Sequence, residues 1–252
     1  MINTFLIIAY NGSYFNGSQI QKNLITAQSL IEEKLSMIYG KPIKVRPCSR
    51  LDKGVHAYMW ACNFRCEERK MDVSRLKYAL NRLLDERMYV KEAFEVPLDF
   101  DSRYDVTSKT YLYRINNGEL DPIIAPYVWT PIFKCDEELL DKTLKLYEGH
   151  HDFSSFTSEK PEGDECFKDI DNVTLTKKDG ILEVRIKGRS FLRYMVRFMV
   201  GSAVEVATGR LSIEEVKNRL DSKSYGVLKY KAPGKGLALE KIEYDLERSK
   251  NA

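Results

Sequence analysis

The hydrophobic pattern changes period several times along the chain. NTFLIIAY (3–10) is an almost unbroken apolar run and predicts a buried strand. From Thr26 the spacing becomes helical. Ala27, Leu30, Ile31, Leu35 and Ile38 share one face, Thr26 suits the N-cap, and Gly40 suits the terminus. AYMWACNFRC (57–66) predicts a strand, and VSRLKYALNRLL (73–84) a helix with Val73, Leu76, Leu80 and Leu83 inward. TYLYRINNG (110–118) predicts a strand whose Tyr111, Tyr113 and Ile115 point one way. DEELLDKTLKLYEG (136–149) predicts a helix closing on Gly149. NVTLTKKDGILEVRIKG (172–188) predicts a hairpin turning at Asp179-Gly180, with Leu182, Val184 and Ile186 on one face. FLRYMVRFMVGSAVEVATG (191–209) predicts a long helix. SIEEVKNRL (212–220) predicts a shorter one with a Ser212/Glu215 capping box, and GLALEKIEYDLE (236–247) a last strand.

Strands and helices alternate, and the second half loosely echoes the first. This predicts an α+β chain of two similar α/β halves, each ferredoxin- or RRM-like. Their strands are expected to form a continuous, mainly antiparallel sheet, with helices on one side and a central active-site cleft. No Gly/Ser-rich linker separates the halves. EVPLDFDSRYDVTS (95–108) is the best boundary, giving 1–104 and 105–252.

With 252 residues, 43% of them hydrophobic, the chain is long enough for real cores. The leading apolar run is too short for a membrane span or a signal core, so a cytoplasmic protein is expected. Five scattered cysteines include one near pair, Cys62 and Cys66, but no second pair to complete a zinc site. They read as packing thiols. The net charge of +3 says little, but its distribution says more. Lys41, Lys44, Arg46, Arg50 and Lys53 form one basic cluster. Arg185, Lys187, Arg189, Arg193 and Arg197 form a second, and Lys229, Lys231 and Lys235 a third. Such clusters follow a phosphate backbone or form solvated faces balanced by nearby acids.

Three places could carry chemistry. In SRLDKGVHA (49–57), Asp52 stands between Arg50 and Lys53, with Gly54 and His56 following. That is either a charged surface turn or a carboxylate set among cations. Arg197 lies in an apolar helix among Phe198, Met199 and Val200. Either its stem packs while its head reaches water, or it meets an anion. Tyr111 is either sheet core or a ring on which a base stacks.

Six segments, in order, resemble the TruA family of tRNA pseudouridine synthases. YNGSYFNGSQIQ resembles its first strand and turn, and SRLDKGVHA its catalytic aspartate loop. Lys109, Tyr111 and Tyr113 match its K-x-Y-x-Y strand. HDFSSF, FLRYMVRFMVG and APGKGLAL match the remaining three. The resemblance covers almost the whole chain and implies roles. Asp52 would be the nucleophile, with its charged form favoured by Arg197 and Lys53. Arg50 would enter the RNA helix and help displace the target nucleotide. Tyr111 would stack on the flipped uracil, Arg197 would pair with Asp52, and Leu237 would wall the pocket. Apart from the resemblance, the place of Lys53 beside Asp52 in a basic cluster makes it an expected phosphate contact. The family acts on the 3′ side of the anticodon stem–loop of tRNA, as a homodimer, with no metal or organic cofactor.

Four positions depart from the family pattern. Ser18 stands where a tryptophan is expected, Ser49 replaces glycine, Leu51 threonine, and Lys53 alanine. None removes a group the reaction needs, and all bear on which RNA is modified. The alternatives are a non-catalytic RNA-binding protein of the same fold, a synthase acting at another RNA site, and a nucleosidase. The last normally needs a second acid, which the loop lacks.

Overall fold

A strand that is apolar without alternation must be covered on both faces. β1 (Ile2–Tyr10) is such a strand, with Phe5, Leu6 and Ile8 fully buried. It pairs antiparallel with β3 (His56–Cys66) on one edge and with β4 (Met88–Val96) on the other. The computed structural model describes residues 1–158, 166–221 and 229–245. It divides into two units, Met1–Thr107 with Leu239–Ala252, and Ser108–Ala238.

In the first unit the strand order is β4-β1-β3, followed by β9 (Leu237–Tyr244), whose residues from Leu239 onward belong here. The two-residue β2 (Arg46–Pro47) pairs with β3. α1 (Ala27–Tyr39) begins at Thr26, whose side chain and that of Ser29 form a reciprocal capping box. It ends on Gly40, which takes the left-handed φ of 69° that a residue without Cβ adopts freely. α2 (Val73–Leu83) buries Leu76 and Leu80, but Leu83, expected inward, is 39% exposed in the last position of the helix. β4 was not legible as a strand. Lys91, Glu92 and Glu95 interrupt its apolar positions, as charges do on strands that resist further pairing. Tyr244 of β9 packs edge-on to Phe5 at 5.0 Å and donates its hydroxyl to the Ser102 carbonyl at 2.8 Å. The last two residues of the predicted final strand, Leu246 and Glu247, lie outside the described residues.

In the second unit β5 (Val106–Asn116), β8 (Ile181–Gly188), β7 (Phe167–Lys178) and β6 (Gly149–Asp152) pair in that order, all antiparallel. The β7–β8 hairpin turns as its sequence demands. Asp179 and Gly180 have φ of 50° and 78°, the paired positive values of a type I′ turn. Leu182, Val184 and Ile186 are all fully buried. α3 (Glu137–Lys145) stops one turn short of the expected end, and Gly149 opens β6 instead of closing the helix. α4 (Met195–Ala207) starts four residues later than its apolar run because Tyr194 takes a left-handed φ of 62°. It is buried almost all round. Gly201 is required there, since a Cβ would lie 2.0 Å from the Tyr230 carbonyl. α5 (Ile213–Asp221) follows the Ser212/Glu215 capping box. Each unit is thus α+β with mainly antiparallel strands, as the alternation predicts. Among the described residues no helix is long and apolar enough to cross a membrane.

The burial contrast on α2 sets an expectation. Leu80→Ala should lower the unfolding free energy by about 2–5 kcal/mol, the usual cost of truncating a buried leucine. Leu83→Ala should stay within about 0.5 kcal/mol, as surface changes do. Urea titration of both variants checks it. Equal losses would place Leu83 in the core after all.

Candidate active site

The acidic loop spans 48–55, between β2 and β3, and backbone contacts fix it from both ends. Cys48 N–H donates to the Ala61 carbonyl at 2.9 Å, and the Trp60 indole N–H donates to the Ser49 carbonyl at 3.1 Å. Val55 N–H donates to the Asp52 carbonyl at 3.1 Å, closing a β-turn whose third residue, Gly54, has φ 79°. Leu51 and Val55 are buried anchors. Between and beside them Arg50 and Lys53 are exposed, and Asp52 is half-buried. One loop therefore presents a carboxylate between two cations, with the backbone held below it.

The turn after β1 lies directly against this loop. A Cβ on Gly12 would stand 2.1 Å from the Val55 carbonyl oxygen, and one on Gly17 would stand 2.9 Å from that of Leu51. Gly17 also needs its φ of 89°. Ser18, buried, bonds to Leu51 twice. Its N–H donates to the Leu51 carbonyl at 2.9 Å, and its Oγ accepts the Leu51 N–H at 2.7 Å. The Gly12 N–H donates to His56 Nδ1 at 3.1 Å, which leaves the ring proton on Nε2 and gives His56 a structural contact.

In the second unit, β5, the start of α4 and the segment 232–237 converge. Tyr111 is buried, with its ring edge-on to Phe191 at 4.9 Å. Tyr113, two residues on, donates its hydroxyl to the Pro233 carbonyl at 2.8 Å. Burial pushes the Tyr113 phenol well above its usual range, and the Arg197 guanidinium opposes that. Arg197, in the first turn of α4, is half-buried. Its Nε donates to the Ala232 carbonyl at 2.7 Å, and Ala232 N–H donates back to the Arg197 carbonyl at 3.0 Å. Gly236 lies flat on the Tyr113 ring, where a Cβ would be 2.7 Å from Cε1. Leu237, next in sequence, is buried. Among the described residues no group of three His, Cys, Asp or Glu side chains is arranged to hold a metal.

A family model described as tRNA pseudouridine synthase matches residues 6–105 and 143–245. The chain belongs to the tRNA pseudouridine synthase family. Among curated relatives it is 37% identical to tRNA pseudouridine synthase A of Aquifex aeolicus, over 96% of this chain and 99% of that one. It is 38% identical to the protein of that name from Clostridium kluyveri, over 97% and 100%. The counterpart from Thermotoga maritima is 34% identical, over 94% and 97%. Among solved structures, a Cbf5–Nop10–Gar1 complex aligns with 78% of this chain and 46% of that one at 11% identity. Its TM-score is 0.34, too low to carry weight. The chain is therefore a pseudouridine synthase, an isomerase that converts uridine to pseudouridine.

The sequence singled out Arg50, Asp52 and Lys53, which this synthase carries on one loop, and Tyr111, Arg197 and Leu237, which its second unit carries. It did not reveal what holds them. In the sequence Ser18 stands out only as a departure from the family pattern, yet its hydroxyl is the acceptor for a buried loop N–H. That bond joins residues 33 apart in sequence, so no local pattern signals it. Ser18→Ala should lower the synthase's unfolding free energy by about 1–3 kcal/mol, the cost of leaving a buried donor unsatisfied. Thermal and urea unfolding measure this. A melting point equal to the parent's would mean the Leu51 N–H has another acceptor.

Proposed function

We propose that this chain converts uridine to pseudouridine on the 3′ side of the anticodon stem–loop of tRNA, with Asp52 as the reacting carboxylate. The carrying observation is the Asp52 loop, where a single half-buried carboxylate stands between Arg50 and Lys53 on a braced backbone. The reaction breaks the bond between uracil N1 and ribose C1′, turns the base, and joins C5 to C1′. It is an isomerisation, so electrons balance without a redox partner. An ionised carboxylate can open it by attack on the sugar or the base, or by taking a proton. The target base must first leave its stack, at a cost of a few kcal/mol. In this reading Arg50 takes the space vacated in the RNA helix. Tyr111, fixed by Phe191, meets the uracil face. Arg197 is the cation for the carboxylate, Leu237 an apolar wall, and Lys53 a phosphate contact. The first half of the chain carries the catalytic loop and the second completes RNA binding. No cofactor takes part, and the work is cytoplasmic.

Asp52→Asn keeps the volume and removes the charge. The variant should fold, bind tRNA as tightly as the parent or slightly better, and lose turnover by several orders of magnitude. The assay is pseudouridine formed on unmodified tRNA well above the dissociation constant, with melting curves run alongside. A folded variant that converts uridine near the parent's rate sinks the assignment. An inactive parent that still binds tRNA points to the non-catalytic alternative.

The functional unit in this reading is a homodimer. Support comes from the family relation and from large apolar side chains left outside the core of the second unit, with Ile123 80% and Ile132 88% exposed. Sedimentation velocity at assay concentration should show two chains per particle. A fully active monomer overturns this.

A further inference from the structure

The turn after β1 is fastened to the Asp52 loop at both of its ends. Ser18 bonds to Leu51, the residue just before Asp52. At the other end the Gly12 N–H donates to His56 Nδ1, just beyond the loop. The turn spends its intervening N–H groups elsewhere. Ser13 donates to Asn11 Oδ1, Tyr14 to the Asn11 carbonyl and Phe15 to the Gly12 carbonyl. Asn16 donates to the Ile25 carbonyl.

Gly12 is buried, and a buried N–H must find an acceptor. The Gly54 and Val55 backbone lies against Gly12, where a Cβ would be 2.9 Å from the Gly54 carbonyl carbon and 2.1 Å from the Val55 oxygen. Even so, the N–H is met by a side chain, that of the next residue, His56. An imidazole accepts there through a lone pair on Nδ1 and never by donating. The Val55 N–H in turn closes the β-turn on the Asp52 carbonyl. The bond to His56 therefore holds the chain one residue after that turn ends. A shift at this point is passed through the closed turn to Asp52, and small shifts of a reacting group are expensive.

We propose that His56 is a positioning residue for the reaction. Its Nδ1 lone pair holds the 12–18 turn against the C-terminal side of the loop and so fixes where the Asp52 carboxylate stands. This rests on the reading of Asp52 as the reacting carboxylate. It gives His56 no proton to transfer and no contact with the RNA.

The test compares three substitutions in the full chain. Each variant is measured for single-turnover pseudouridine formation on unmodified tRNA, for tRNA affinity and for melting temperature. Asparagine sets an oxygen where Nδ1 stands. Glutamine sets its amide one bond further out, near the place of Nε2. Phenylalanine keeps a ring with no acceptor. His56→Phe should slow the single-turnover rate by about 10- to 100-fold, the scale of a misplacement near 1 Å, with tRNA affinity unchanged. His56→Asn should recover most of the rate, and His56→Gln should not. If His56→Phe fails to fold, the contrast between Asn and Gln decides. Rescue by Gln in place of Asn overturns the proposal, because it puts the work on Nε2. So does a loss that falls on affinity, or one that simply follows melting temperature across the three variants. Full turnover by a folded Asp52→Asn removes the catalytic reading and this proposal with it. An active parent, an inactive Asp52→Asn and three His56 variants at the parent's rate remove this proposal alone.

Discussion

The first unit depends on one close approach of backbone to backbone. The turn at 12–18 lies on the loop at 49–55 with no side chain between them, because Gly12 and Gly17 have none to interpose. Ser18 then bonds to Leu51 through its backbone N–H and its hydroxyl. A loop carrying Arg50, Asp52 and Lys53 repels neither RNA nor water and has little apolar surface of its own to bury. What fixes it is this strip of polar contacts, together with Leu51 and Val55 below and the Trp60 indole from β3. Rigidity in such a loop is inherited from its neighbours, and reactive groups must be positioned by rigid surroundings to be useful.

The second unit solves a similar problem differently. Segment 232–237 has two glycines and a proline and forms only a short turn before β9. It is held at three points. Arg197 and Ala232 exchange hydrogen bonds, the Tyr113 hydroxyl takes the Pro233 carbonyl, and Gly236 rests on the Tyr113 ring. Gly201 on α4 admits the close approach of Tyr230, two residues before this segment. Tyr113 and Arg197 thus position backbone while Tyr111, beside them, faces Phe191. Alternation along β5 places Tyr111 and Tyr113 on one face but cannot say that one holds a loop and the other a ring.

What could be read from the sequence follows from how local its physics is. The Asp179-Gly180 hairpin and the Thr26 cap need only residues a few positions apart, and both are present as the sequence predicts. The start of α4 lies beyond the reach of apolar spacing, which continues through Phe191 and Leu192, while the backbone turns left-handed at Tyr194. β4 carries no clear apolar alternation, because its charges mask a strand defined by its partner β1. The acid, the tyrosine and the arginine of the candidate site stand out by residue type in a motif. Ser18 does not, since its importance lies in a contact across 33 residues.

The chain's route through the first unit has a consequence for its biosynthesis. β9 returns to that unit from Leu239 onward and brings Tyr244 against Phe5 and Phe100, with its hydroxyl on Ser102. A ribosome delivers residues in order. The segment that begins the first unit therefore waits, with the β3 edge covered only by the short β2, until the second unit has been made. The second unit is contiguous in sequence and has no such wait. An uncovered strand edge on a nascent chain is the kind of surface on which chains mispair. The first unit is thus completed after the second, and β9 acts as a clasp that closes only once the intervening unit has been made.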